Sequence, residues 1–150
     1  MASILVLYHS QQYGNTEAMA KAVAAGAQGA GAEVTLHNAN EERFDVSRYR
    51  ACDAAAFGTP DYYSYIAGTL KVFLDDWFLA KREDPSGLTD KPIALFYSHG
   101  GGGAVRGPLK DLFTKLGTPV VEPVESLGEP SGSVLQQCRD LGRSLAEAAE

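Results

Sequence analysis

No apolar run in this chain approaches the roughly 20 residues that a membrane span requires, and the first residues enter a strand directly, with no basic leader. A soluble, cytoplasmic protein is the expectation. Cations are the scarcer sign, 13 Lys plus Arg against 19 Asp plus Glu, for a net charge of −6 and a pI near 5.0. That balance argues against a nucleic-acid surface and favours basic protein partners. Cysteine is sparse: Cys52 and Cys138 stand far apart with no CxxC pair, so each reads as a small, partly buried side chain in a reducing compartment. His9, His37 and His99 are scattered, and neither cysteine has a second ligand nearby, so no metal site is indicated. There is no Gly-x-Ser-x-Gly, which leaves His99-Gly100-Gly101-Gly102 without the nucleophile an esterase oxyanion loop would serve. A magnesium-binding phosphoreceiver needs carboxylates where the first strand ends, and here that strand ends in Tyr8 and His9.

What is present begins with the apolar run Ile4 to Tyr8, followed by His9-Ser10-Gln11-Gln12-Tyr13-Gly14-Asn15-Thr16-Glu17 and a helical pattern through Met19, Val23 and Ala27. A strand, a tight polar loop and a helix start leave the first helical N–H groups unpaired and aim them at the loop, which suits an anion. No Lys or Arg lies between His9 and Ala20, so a phosphate there is held by neutral donors, Ser10, Asn15 and Thr16 among them. The competing reading is a solvent-filled loop capped by Thr16. Two other phosphate loops are excluded by spacing: no Lys-Ser or Lys-Thr pair follows the glycine, and Gly14 stands alone after the strand.

Further along, strands are expected at Val34–His37, Ala54–Phe57, Ile93–Tyr97 and Val120–Val124, with helices between them. One helix carries Ile66, Leu70, Phe73, Leu74, Trp77 and Phe78, placing Trp77 in the core rather than against a substrate. Phe44, Val46 and Tyr49 are expected to pack the short link after the second strand onto the sheet. Regular alternation without a linker or repeat predicts an α/β fold over residues 1–150 as a single domain. Its architecture is a doubly wound five-stranded parallel sheet, strand order 2-1-3-4-5, in three α/β/α layers. The switch point of that order gathers three loops: Ser10 to Thr16, Thr59 to Tyr65 and Ser98 to Gly103.

The phosphate loop, spelled Tyr-His-Ser-Gln-Gln-Tyr-Gly-Asn-Thr-Glu-Ala-Met-Ala, resembles that of the flavodoxin family, and in particular its NAD(P)H:quinone oxidoreductase branch. Gly58-Thr59-Pro60 followed by aromatics, and Phe96-Tyr97-Ser98-His99 with its glycines, resemble the family's second and third FMN loops. The resemblance implies FMN as cofactor. By it, Ser10, Gln11, Gln12, Tyr13, Gly14, Asn15 and Thr16 take the phosphate, while Thr59, Pro60, Asp61, Tyr62 and Tyr63 lie along the ribityl chain and ring. Ser98, His99, Gly100, Gly101, Gly102 and Gly103 complete the ring's polar edge. One or two of Tyr62, Tyr63 and Tyr65 would stack on the ring, with the others packing under the following helix. His99 either donates near the ring's edge, as a possible catalytic group, or faces water.

Two features depart from the family pattern. Glycines occupy the place where electron carriers put an aromatic over the second ring face, and the long insertions of the quinone-reductase branch are absent. The favoured reading is an electron carrier working with redox partner proteins. The alternative is an NAD(P)H-dependent quinone or flavin oxidoreductase, and the chain is a monomer or small homo-oligomer in either case.

Overall fold

Continuous apolar runs become strands buried on both faces, because helices cover a parallel sheet from either side. In the computed structural model, which describes residues 1–150, β1 spans Ser3–Tyr8, β2 Glu33–Asn38, β3 Ala54–Pro60 and β4 Lys91–His99. The helices are α1 Asn15–Gly29, α2 Ser47–Arg50, α3 Gly68–Glu83, α4 Arg106–Phe113 and α5 Gly132–Ala148. Every pairing is parallel and the order β2-β1-β3-β4 is the expected one.

The fifth position differs from the expectation of one strand at Val120–Val124. Two short strands share it, β5 Gly117–Pro119 against Lys91–Ile93 and β6 Val124–Leu127 against Phe96–His99. Pro119 and Pro123 bracket the interruption, and neither has an N–H to offer the ladder. The strand order 2-1-3-4-5 survives with its last strand in two pieces.

Residues alternate between two cores. Leu5, Leu7, Phe57 and Tyr97 face α3 and α4, together with Phe44 and Tyr49 from the link before β3. Ile4, Val6, Ala56 and Phe96 face α1 and α5. Trp77 is buried as expected, its indole N–H donating to the Leu88 carbonyl at 2.7 Å. Cys138 is buried and Cys52 partly so. No helix is long and apolar enough to cross a membrane.

Candidate functional site

Loop 1, between β1 and α1, owes its shape to Gly14. The residue sits at φ 76°, a left-handed conformation that favours glycine, and starts the helix without any side-chain cap. The alternative of a loop capped by Thr16 is therefore overturned. Thr16 lies inside the first turn, buried, with its hydroxyl 2.8 Å from that of Ser98 at the end of β4. Upstream, the Ser10 N–H donates to Asn38 Oδ1 at 3.2 Å and Asn38 Nδ2 donates back to the Ser10 carbonyl at 3.0 Å. Asn38, the last residue of β2, reads in sequence as the end of a strand; only the pairing of β1 with β2 turns it into a clamp on the loop.

Between these two anchors, every backbone N–H from Gln11 to Glu17 lacks an acceptor within the chain. A stretch of unpaired amides at a helix N-terminus has the polarity of an anion site. The recess they enclose is walled by Ser10 to Thr16 together with Pro60, Tyr62 and Ser98, and contains no cationic side chain. All three expected loops contribute to it.

His9 supports the loop from below. It is buried, with Nε2 2.6 Å from Gln11 Oε1 and Nδ1 2.8 Å from the Thr69 hydroxyl. With the Gln11 oxygen accepting from Nε2–H, the Nδ1 lone pair takes the Thr69 proton, and the ring is held in its neutral form. Burial lowers its proton affinity below the ordinary histidine range, opposed by the Gln11 hydrogen bond. The sign follows from linkage: below the unfolded value the unfolded chain binds the proton more readily than the folded one. His9 therefore contributes stability that is complete above that value and is lost as pH falls toward the folded one. Between roughly pH 7 and pH 5, chemical denaturation should show a steeper stability loss for the wild type than for His9→Gln. Parallel pH profiles for the two proteins would remove His9 from this role.

Loop 2 follows β3. The Thr59 hydroxyl accepts from the Ala67 N–H at 3.0 Å and donates to the Pro60 carbonyl at 2.7 Å, so its side chain braces the loop internally. Asp61 accepts from the Ser64 N–H at 2.8 Å and from the Val105 N–H at 3.1 Å, tying the loop to the entry of α4. Tyr62 and Tyr65 close a two-residue hairpin by reciprocal backbone bonds of 3.1 Å. The residues at its tip, Tyr63 and Ser64, take φ 61° and 64° without being glycine. The tyrosines do not pack under α3 as one expectation held: Tyr63 and Tyr65 are exposed, and Tyr62 meets His9 edge-on at 5.6 Å. A solvent-facing ring on a strained turn is a feature that folding alone does not reward. Tyr63→Gly should leave fold stability unchanged or raise it by up to about 1 kcal/mol, measured by urea denaturation; a loss of stability would show that Tyr63 has a structural role.

Loop 3 begins while β4 is still paired, since Ser98 and His99 are its last residues. Gly100 and Gly101 have open space at the Cβ position, and Gly102 and Gly103 take φ 81° and 63°. Water does not bathe His99, contrary to one of the two expectations. Its side chain is 6% exposed and lies 3.5 Å from Glu125 Oε2 of β6, stacked on the Tyr97 ring at 6.0 Å with the two planes inclined by 30°. Sequence reading had no means of finding Glu125, which the split fifth strand delivers.

The Flavodoxin family profile matches residues 6–142. An NAD(P)H dehydrogenase (quinone) of Archaeoglobus fulgidus is 31% identical over 195 aligned positions, covering 100% of this chain and 98% of the relative. The alignment is longer than this chain, so the relative carries segments with no counterpart here. A coenzyme F420H(2) oxidase of Methanothermobacter marburgensis is 30% identical over 148 residues, covering 95% of this chain but only 35% of that longer protein. Among solved structures, a flavodoxin from the domain Archaea superposes with a TM-score of 0.83 at 26% identity, covering 98% of each chain. The flavodoxin, WrbA-like protein from Agrobacterium tumefaciens gives 0.78 at 27% identity, over 99% of this chain and 98% of its own.

Proposed function

Because this chain belongs to the flavodoxin family, we propose that residues 1–150 act as one FMN-binding unit that passes electrons between redox partners. The observation that carries the proposal is the run of acceptor-free amides from Gln11 to Glu17, closed at its two ends by Asn38 and Ser98. A phosphate seated there accepts from those amides, from Ser10, Asn15 and Thr16, and from Gln11, Gln12 and Tyr13 at the rim. Gly14 leaves the space that a Cβ would begin to fill. Thr59 and Asp61 hold loop 2 so that Pro60, Tyr62 and Tyr63 border the ribityl chain and ring. Ser98 and the Gly100 to Gly103 backbone, with His99 beneath, border the ring's polar edge, where amide donors favour the negative charge that reduction adds.

Bound FMN supplies reversible one- and two-electron chemistry; the chain positions it and sets its potentials. The test is uptake of FMN by apo protein, followed by fluorescence quenching. A reductive titration resolving into two separate one-electron waves supports electron carriage, and a single two-electron wave counts against it. Since the recess holds neutral donors only, affinity for FMN should change less than about threefold between 0.05 and 0.5 M salt, because few exposed charges are available to screen. A steep salt dependence would require a cation that the recess does not contain.

A second reading is favoured by two specific observations. The glycines of loop 3 put no aromatic over the ring's outer face, and the Archaeoglobus relative is named for quinone reduction by NAD(P)H. In this reading the open face admits a nicotinamide and then a flat quinone. Steady-state NAD(P)H oxidation in the presence of a quinone tests it, and turnover no faster than free FMN dismisses it.

A further inference from the structure

The side chain of His99 is more than nine-tenths buried, and neither of its ring nitrogens has a hydrogen-bond partner. A buried imidazole left without partners is costly, and most buried polar groups avoid that state. The carboxylate that would complete its bonding is already beside it, with Nε2 3.5 Å from Glu125 Oε2. That oxygen accepts a 2.6 Å hydrogen bond from the Tyr97 hydroxyl, which Arg106 approaches from α4 at 3.5 Å. Glu122, on the segment between β5 and β6, holds Arg106 from the other side at 2.7 Å. Over the pair lies Gly103: a Cβ built there would stand 2.9 Å from Glu125 Oε2 and 3.2 Å from His99 Nε2. The last glycine of loop 3 thus seals the imidazole and carboxylate directly under the loop.

We propose that His99 is a redox-linked proton acceptor: its imidazole takes one proton from solvent when negative charge accumulates in the cleft above the glycine loop, and Glu125 receives the new N–H. The inference rests on FMN occupying that cleft. Only a proton moves at His99, from water to a ring nitrogen, while the electrons arrive from the external reductant. Glu125, about half exposed, connects the buried ring to solvent. Tyr97 and Arg106 keep the carboxylate aimed at the ring, and Gly103 lets the loop lie close enough for the cleft's charge to be felt. His99 is on this account a positioning and charge-balancing residue.

Two measurements test the proposal. In the FMN-loaded protein, midpoint potentials are determined from pH 5.5 to 9 for the wild type, His99→Gln and Glu125→Gln. The wild-type plot of potential against pH should contain one proton-coupled segment that His99→Gln lacks, and Glu125→Gln should move that segment to lower pH. Superposable plots for wild type and His99→Gln overturn the proposal. Independently, nitrogen-15 spectra of the wild-type imidazoles at a fixed pH should show His99 moving toward the doubly protonated form on reduction, and unchanged shifts overturn it too. Failure of the protein to take up FMN at all defeats the functional reading itself, whereas uptake with superposable plots defeats this inference alone.

Discussion

Replacing Gly26 with alanine is expected to lower the stability of the fold by about 3 kcal/mol, as overpacking against rigid backbone does. Gly26 lies on α1 where α5 passes closest. A Cβ there would stand 1.9 Å from the Arg139 carbonyl oxygen and 2.6 Å from its carbon, so the obstacle is main chain and cannot rotate away. The contact is reciprocal, because a Cβ at Gly142 of α5 would stand 1.9 Å from the Val23 carbonyl oxygen of α1. The two helices meet backbone to backbone at a pair of glycines. Relief requires moving α5 outward, which uncovers Cys138, Leu141 and Leu145, all buried against the sheet. At about 2–4 °C per kcal/mol for a chain of this size, the melting temperature should fall by roughly 6–12 °C. Gly29, on the same helix with open space around it, is the control: Gly29→Ala should be neutral or slightly stabilising through helix propensity. Equal melting temperatures for Gly26→Ala and wild type would show that the helices do not pack this tightly in solution.

Thr16→Val is expected to weaken FMN binding by about 10- to 100-fold, corresponding to loss of a hydrogen bond to a charged group. Thr16 and Ser98 share one hydrogen bond between two buried hydroxyls 2.8 Å apart. Only one of the two protons is used between them, and both residues line the recess, so the other proton is available to a ligand there. Valine preserves the shape of the side chain, removes one hydroxyl and strands the Ser98 oxygen. Thr16→Ser should retain most of the affinity, and the effects of Thr16→Val and Ser98→Ala should be non-additive, since each removes the same bond. Isothermal titration with FMN against apo protein measures all of these. An unchanged dissociation constant for Thr16→Val would mean that the phosphate sits elsewhere.

Legibility in the sequence followed locality. The β1–loop–α1 junction was readable because strand, loop and helix start are contiguous, and unpaired helix amides are a property of any helix end. The helix stripe through Leu70, Phe73, Leu74 and Trp77 was readable because burial of one face imposes its own period. The fifth strand is legible in position but not in extent: Val120, Val121 and Val124 look like one strand by composition, whereas the ladder runs over Gly117–Pro119 and Val124–Leu127, with Pro119 and Pro123 flanking the gap. Packing of the remaining loop 2 tyrosines under the following helix is the expectation from their neighbourhood in the chain, but a hairpin with two left-handed residues at its tip turns Tyr63 into solvent.

By itself the sequence determined the layer architecture and a polar, cation-free loop between the first strand and helix, since each follows from periodicity or from a few adjacent residues, and the strand order followed as the economical winding of an alternating chain. Tertiary structure alone decided that Asn38 clamps Ser10, that Thr16 and Ser98 share a hydroxyl bond across 82 residues, and that Glu125 meets His99 beneath Gly103. Those partners lie on different strands, helices and loops, and only the folding of these elements against one another brings hydrogen-bonding groups that are distant in the chain to within 3 or 4 Å.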